Sequence, residues 1–292
     1  MAAPPLHRRW RRRLRAVVES LPGLVRAARR HGAPEAIHEL RVTLRRFRLL
    51  LGVGRPLLGK KRVAIWRARA ARISATAGQV RDLDITMELL DAVPTAGGVR
   101  RRRLGRRQRI WAAVREEWRL PRAAWAALAA ALPRNAGAAA LLKERLRKAE
   151  TKARATVLHA YPQLADLDAR QLHDFRRALR RLRYLRELEL SQRRARRDTR
   201  LQLLIELQRI LGAQQDRVVA KRCLVAENAE VGFAVGCLEQ PARCGREWRR
   251  RFQKLFLAAA RAHRWRLTAR PKPRRPVVGR RAGPRLRATD SA

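Results

Sequence analysis

The sequence predicts an all-α fold arranged as two tandem helical bundles related by pseudo-twofold symmetry. Three observations predict it. Apolar residues recur at helical spacing through long Leu/Ala/Arg stretches, the pattern of amphipathic helices. Tyrosine, which favours strands, occurs only twice. One His/Arg motif and one Gly/Asp motif each occur twice, in the same order.

The elements follow along the chain. Helical patterns cover roughly 6–30, 34–52, 60–80, 82–92, 99–119, 122–132, 138–160, 168–191, 195–212, 214–239 and 242–266. Pro34 in "HGAPEA" (31–36) stands near a first helical position, where its missing N–H costs nothing. "GVGRPLLG" (52–59) closes the second helix, and "AVPTAGG" (92–98) and "LPRNAG" (132–137) are further interruptions. Asp168 with Gln171 reads as a capping box before the next apolar run. From 269, "ARPKPRRPVVGRRAGPRLRATDSA" is Pro-rich, basic and aperiodic, so 269–292 is expected to be a disordered cationic tail.

The chain has 292 residues, enough for one large domain or two ordinary ones with a real core. Hydrophobic residues make up 46 %, which excludes a polycation disordered throughout. Yet 71 Lys and Arg face 24 acidic residues, a net charge of +47. Self-repulsion of that size stresses a compact fold and calls for an anionic partner. Nearly all of the charge is arginine, whose planar fork of donors suits phosphate. A GC-rich genome also enriches arginine, but it does not explain arginines at fixed spacing. The cysteines are Cys223, Cys237 and Cys244, too few for a disulfide framework and without the paired spacing of a zinc site. The expectation is core packing in a reducing compartment. No apolar run reaches membrane-spanning length, and the basic N-terminus has no apolar stretch of a secretory signal. A cytoplasmic protein with no membrane partner is expected.

The duplication is explicit. "AIHELRVTLRRFRLLL" (36–51) matches "QLHDFRRALRRLRYLR" (171–186) at an offset of 135 residues. His38 pairs with His173, Arg41 with Arg176, Arg45 with Arg180, Arg46 with Arg181 and Arg48 with Arg183. "ATAGQVRDLDITMELL" (75–90) matches "RILGAQQDRVVAKRCL" (209–224), with Gly78 on Gly212 and Asp82 on Asp216 at an offset of 134. Two ordered blocks at nearly equal offsets predict a tandem duplication, with repeats over 1–135 and 136–268.

At about 100° per residue, His38, Arg41, Arg45 and Arg48 share one quadrant of their helix, opposite Leu40, Leu44, Phe47 and Leu51. In the second copy His173, Arg176, Arg180 and Arg183 gather opposite Phe175, Leu179 and Leu182. Each helix therefore buries an apolar stripe and projects a cationic ridge about 15 Å long, flanked by Arg46 or Arg181. A solvated face mixes signs; here the ridge carries no acidic partner at the matching spacings, and Glu39 and Asp174 sit off it. Like charges one turn apart cost a few tenths of a kcal/mol each. A feature that opposes local stability and recurs points to a binding surface. Arginine forks and histidine donors suit a linear polyanion such as a chain of phosphates. Two such helices meeting near the symmetry axis would line one channel.

The segments "IHELRVTLRRFR", "QVRDLD", "LHDFRRALRRLRY" and "LGAQQD" resemble the CHAD domain, the conserved histidine α-helical domain, over roughly 6–266. The resemblance implies two four-helix bundles around a basic central channel that binds inorganic polyphosphate, often at polyphosphate granules. It implies binding roles for His38, Arg41, Arg45, Arg46, Arg48, His173, Arg176, Arg180, Arg181 and Arg183. One CHAD domain is expected over 1–268. Arg81 is Gln215 in the second copy, an asymmetry in the expected channel. Asp82 and Asp216 either hold arginines in place or cap helix starts.

Other chemistry has less support. No carboxylate cluster for Mg²⁺ and no glycine-rich phosphate loop accompanies the histidines, so neither a metal, a cofactor nor a phosphohistidine nucleophile is expected. Asp82 and Asp84 are too isolated for a metal site. Trp111 and Trp118 read as interface packing rather than base-stacking platforms. The rivals are a nucleic-acid-binding protein, for which +47 alone would speak, and an enzyme that hydrolyses or transfers phosphate from the polymer. No nucleic-acid-reading module is recognisable, although the basic tail could hold nucleic acid nonspecifically. The expected reading is non-catalytic.

Overall fold

The computed structural model describes residues 5–91, 97–118, 121–131, 138–161, 169–225 and 242–266. Among the described residues every regular element is helical. Helix α1 (Leu6–His31) ends at Gly32, whose left-handed φ of 60° lets its N–H reach the Ala28 carbonyl at 3.1 Å. Pro34 then opens α2 (Pro34–Val53). A single turn, α3 (Arg55–Leu58), leads into α4 (Lys60–Leu90) and α5 (Gly97–Val114). A 3₁₀ turn (Arg115–Glu117) precedes α6 (Arg122–Ala130). The second half holds α7 (Ala138–Ala160), α8 (Ala169–Glu189), the short α9 (Gln192–Arg197), α10 (Thr199–Val225) and α11 (Ala242–Ala262).

Pro22 lies inside α1 and supplies no N–H to the carbonyl of Val18. The indole Nε1 of Trp125, on α6, donates to that carbonyl at 2.6 Å instead. The defect in one helix thus becomes the docking point of another. Trp10 does the same for the end of α2, donating to the Leu50 carbonyl at 2.9 Å. Trp118 is fully buried and donates to Thr76, and half-buried Trp111 donates to Ala28. Both tryptophans therefore pack between helices.

Several boundaries differ from the sequence prediction. The helices expected over 60–80 and 82–92 are one helix, α4, unbroken through Gly78. Likewise α10 runs without interruption through Gly212. An interior glycine costs about 1 kcal/mol against alanine, and packing of α4 and α10 against each other and against α2 and α8 outweighs it. The helix expected over 99–119 stops at Val114. Residues 92–96, 132–137, Asp168, Cys237 and 269–292 lie outside the described residues, as do the side chains of Cys223 and Cys244. The expected breaks at 132–137 and near 94, the capping box and the tail therefore fall there.

The buried residues form two clusters. One joins α1, α2 and α4 with Trp118, Trp125, Leu142 and Leu146. The other joins α8, α10 and α11 with Ala153 and Val157. Helix α7 feeds both, its first half into one cluster and its second half into the other. The last turns of α8, through Leu185 and Leu188, also enter the first cluster. Helices α4 and α10 pack together, and α2 touches α8.

Candidate anion-binding site

The apolar stripes sit where the periodicity puts them. Leu40, Leu44, Phe47 and Leu51 of α2 are buried, as are Phe175, Leu179 and Leu182 of α8. Burying those stripes turns the opposite faces of the two helices outward. Arg41, Arg45 and Arg48 are half-buried on α2, and Arg176 and Arg180 are half-buried on α8, while His38 and His173 stand exposed at the ends.

The two ridges approach each other. Arg45, Arg48, Arg180 and Arg181 line one cleft of about 240 Å³. Arg67 of α4, Arg145 of α7 and Arg177 of α8 complete its cationic wall. Arg45, Arg48, Arg180 and Arg181 have no carboxylate at ion-pair distance among the described residues. Burial, then the facing Arg180 and neighbouring Arg41, pushes Arg45 down to about 9. Burial and Arg176 push Arg180 down to about 10. Both stay charged at neutral pH, so the cleft concentrates uncompensated cations. Burial and the arginines around them also lower His38 and His173.

Towards the histidine ends of the ridges, carboxylates balance the charge. Asp82 lies 3.7 Å from Arg41, and Asp216 lies 3.9 Å from Arg176. Each aspartate sits in mid-helix, on α4 and α10, so neither is a helix cap. Burial raises both carboxyls, against the pull of Arg41 and Arg176. Arg41 also donates to the Gly78 carbonyl at 3.2 Å. A methyl group at Gly78 or Gly212 would sit 3.6 Å from the Arg41 or Arg176 guanidinium, an ordinary contact distance, so each arginine lies against the neighbouring helix at its glycine. The repeated Gly/Asp motif is thus the seat on which the inner arginine of each ridge rests.

A family model of the CHAD domain matches residues 8–225. The chain belongs to the CHAD domain family. The crystal structure of the CHAD domain from the plant Ricinus communis matches with a TM-score of 0.65 at 23 % identity, over 91 % of this chain and 94 % of that one. That likeness shows a shared fold. No curated protein matches the chain.

Within this CHAD chain, two of the expected site residues point elsewhere. Arg183 lies 3.0 Å from Glu187, one turn on, and donates to Gln208 at 2.9 Å. The ridge of α8 therefore does carry an acidic partner at helical spacing, contrary to the sequence expectation. Arg46 also reaches Glu187, at 3.7 Å. Both guanidinium groups lie over the ring of Tyr184, at 5.6 Å for Arg46 and 4.9 Å for Arg183. Glu187 and Tyr184 gather these two arginines beside the cleft, and neither arginine lines it. The asymmetry at Arg81 and Gln215 is real: Arg81 forks onto Glu88 at 2.7 and 3.2 Å, and Gln215 is buried. Arg67 and Arg145 carried no signal, because neither lies in a repeated block.

Asp84 is taken up by an ion pair. It is buried against Arg107, which also donates to the Gly32 carbonyl and so ties α5 to the end of α1. No cluster of three or more metal-ligating side chains occurs among the described residues, and no helix there is long and apolar enough to cross a membrane.

Proposed function

We propose that this CHAD protein binds inorganic polyphosphate without altering it chemically, along a trough formed by the ridges of α2 and α8. One observation carries this reading. Arg45 and Arg180 line one cleft, burial and neighbouring arginines lower both, and neither has a carboxylate partner among the described residues. Only an anion from outside relieves them. A flexible chain of phosphates can meet Arg45, Arg48, Arg180 and Arg181 at once and continue towards Arg41, Arg176 and the two histidines. Arg46 and Arg183 join by leaving Glu187.

The same reading takes 1–268 as one duplicated unit, with repeats over 1–135 and 136–268, four-helix bundles and a pseudo-twofold axis between α2 and α8. The paired distances of Arg41 to Asp82 and Arg176 to Asp216 support it. It assigns the protein to the cytoplasm, at polyphosphate granules, with the tail free to hold nucleic acid nonspecifically.

The test is retention of long-chain polyphosphate by the R45E/R180E double variant. Wild type binds with an affinity that falls steeply as salt rises, because counterions are released from the polymer. The variant keeps its helicity and loses binding. Retention at moderate salt removes the ridge assignment. Competition at fixed ionic strength separates a nucleic-acid binder, since polyphosphate should displace DNA or RNA at lower phosphate concentration. Shortening of the polymer on incubation with Mg²⁺ would instead make the protein an enzyme.

A further inference from the structure

Behind the cationic cleft lies a second cavity, of about 540 Å³, a size suited to a small molecule. Leu49 and Tyr184 line both spaces, so they form the wall between them. The floor of the second cavity is apolar, built from Val17, Leu50, Leu188, Leu201 and Ile205 of four different helices. Short α9 closes one side through Ala195, and exposed Ala16 stands at the mouth.

The polar part of the lining is unbalanced. Arg13, Arg46 and Arg196 face a single acid, Glu187. That carboxylate is already shared by Arg183 at 3.0 Å and Arg46 at 3.7 Å. Arg13 donates to the Leu190 carbonyl at 3.1 Å, which leaves its cation without a carboxylate at ion-pair distance among the described residues. Burial lowers it, Glu187 opposes this, and Arg46 adds repulsion. An apolar floor beneath surplus guanidinium groups is complementary to one kind of ligand: a greasy body with an anionic head.

We propose that this cavity binds an amphipathic anion, an alkyl chain ending in a carboxylate or a phosphate. The chain lies on Leu50, Leu201 and Ile205, and the head meets Arg13 and Arg196. This site does not depend on the polyphosphate reading, since a polymer of phosphate alone has no apolar part to bury.

Calorimetry of the full chain with decanoate, below the concentration at which it forms micelles, tests the proposal. Decyl phosphate serves as the second head group and decanol as the neutral control. One anion binds per chain, with either head, and decanol binds at least about tenfold more weakly, the equivalent of one charge-assisted contact. Ala16→Trp fills the mouth from an exposed position and abolishes binding. Arg13→Met weakens it about tenfold while circular dichroism stays helical. Ala16→Trp leaves polyphosphate retention unchanged, so failure of one site is read separately from failure of the other. No saturable binding by wild type, undiminished binding by Ala16→Trp, or decanol as tight as decanoate would overturn the proposal. A wild-type dimer that Ala16→Trp dissociates would assign the cavity to a second copy and overturn it too.

Discussion

Arg45→Met should make the empty protein more stable while weakening its hold on polyphosphate. Burial, Arg180 and Arg41 keep the Arg45 guanidinium at about 9. Measured from arginine's usual value, its proton affinity falls about three-thousandfold, equivalent to about 5 kcal/mol against the charged form. The side chain is partly exposed, and screening leaves about 1–2 kcal/mol of that as destabilisation. The folded value lies below the unfolded one, so the unfolded chain binds more protons only in the alkaline range above about 9. Stability rises with pH through that range, and at neutral pH the whole penalty is present. Methionine keeps an aliphatic stem in place and removes the charge. Thermal melts at low salt should show Tm higher by about 2–5 °C for a chain of this size. High salt should shrink the gain by screening. Arg180→Met should act in the same direction, and the double variant should gain less than the sum, because each change removes the same repulsion. An Arg45→Met protein that melts at or below wild type in low salt would refute the picture of two cations forced together.

Three further outcomes follow from the same structure. Polyphosphate affinity should fall as pH rises from about 5 to 8. The empty site lowers His38 and His173, and a bound polyanion raises them, so protons and ligand bind together; binding titrations across that range check this, and H38A/H173A should flatten the profile. Asp84→Ala should cost about 3 kcal/mol in urea unfolding, because it strands the buried Arg107. Asp84→Leu combined with Arg107→Met should recover most of it, and a cost no larger than a surface substitution would count against the buried pair. Gly54→Ala should destabilise by about 2 kcal/mol or more, since a methyl group there collides with the ring of Trp10, which is buried and cannot move aside; a calorimetric melt reads the loss.

Much of this protein was legible without coordinates because helices are local. The 3.6-residue period alone assigns Leu44 and Phe47 to the interior and Arg41 and Arg45 to the opposite face, and duplication supplied an internal control on both. The resemblance supplied the family. Where prediction failed, the missing information was long-range. Local pattern predicts breaks at 81 and 213, each within a few residues of a glycine, but the packing of α4 on α10 carries both helices through. Glu187 is four residues from Arg183 but lies just past the repeated block 171–186, so the duplication does not signal it.

The sequence by itself determined the helical class, the two cationic ridges and the family, since each depends on spacing within one element or on similarity along the chain. Only the tertiary structure decided that Arg45 and Arg180 meet, that Arg46 and Arg183 turn to Glu187 instead, and that Arg67 and Arg145 complete the cleft. The reason is that electrostatic energy depends on separation in space, and residues 135 positions apart acquire a separation only when their helices pack.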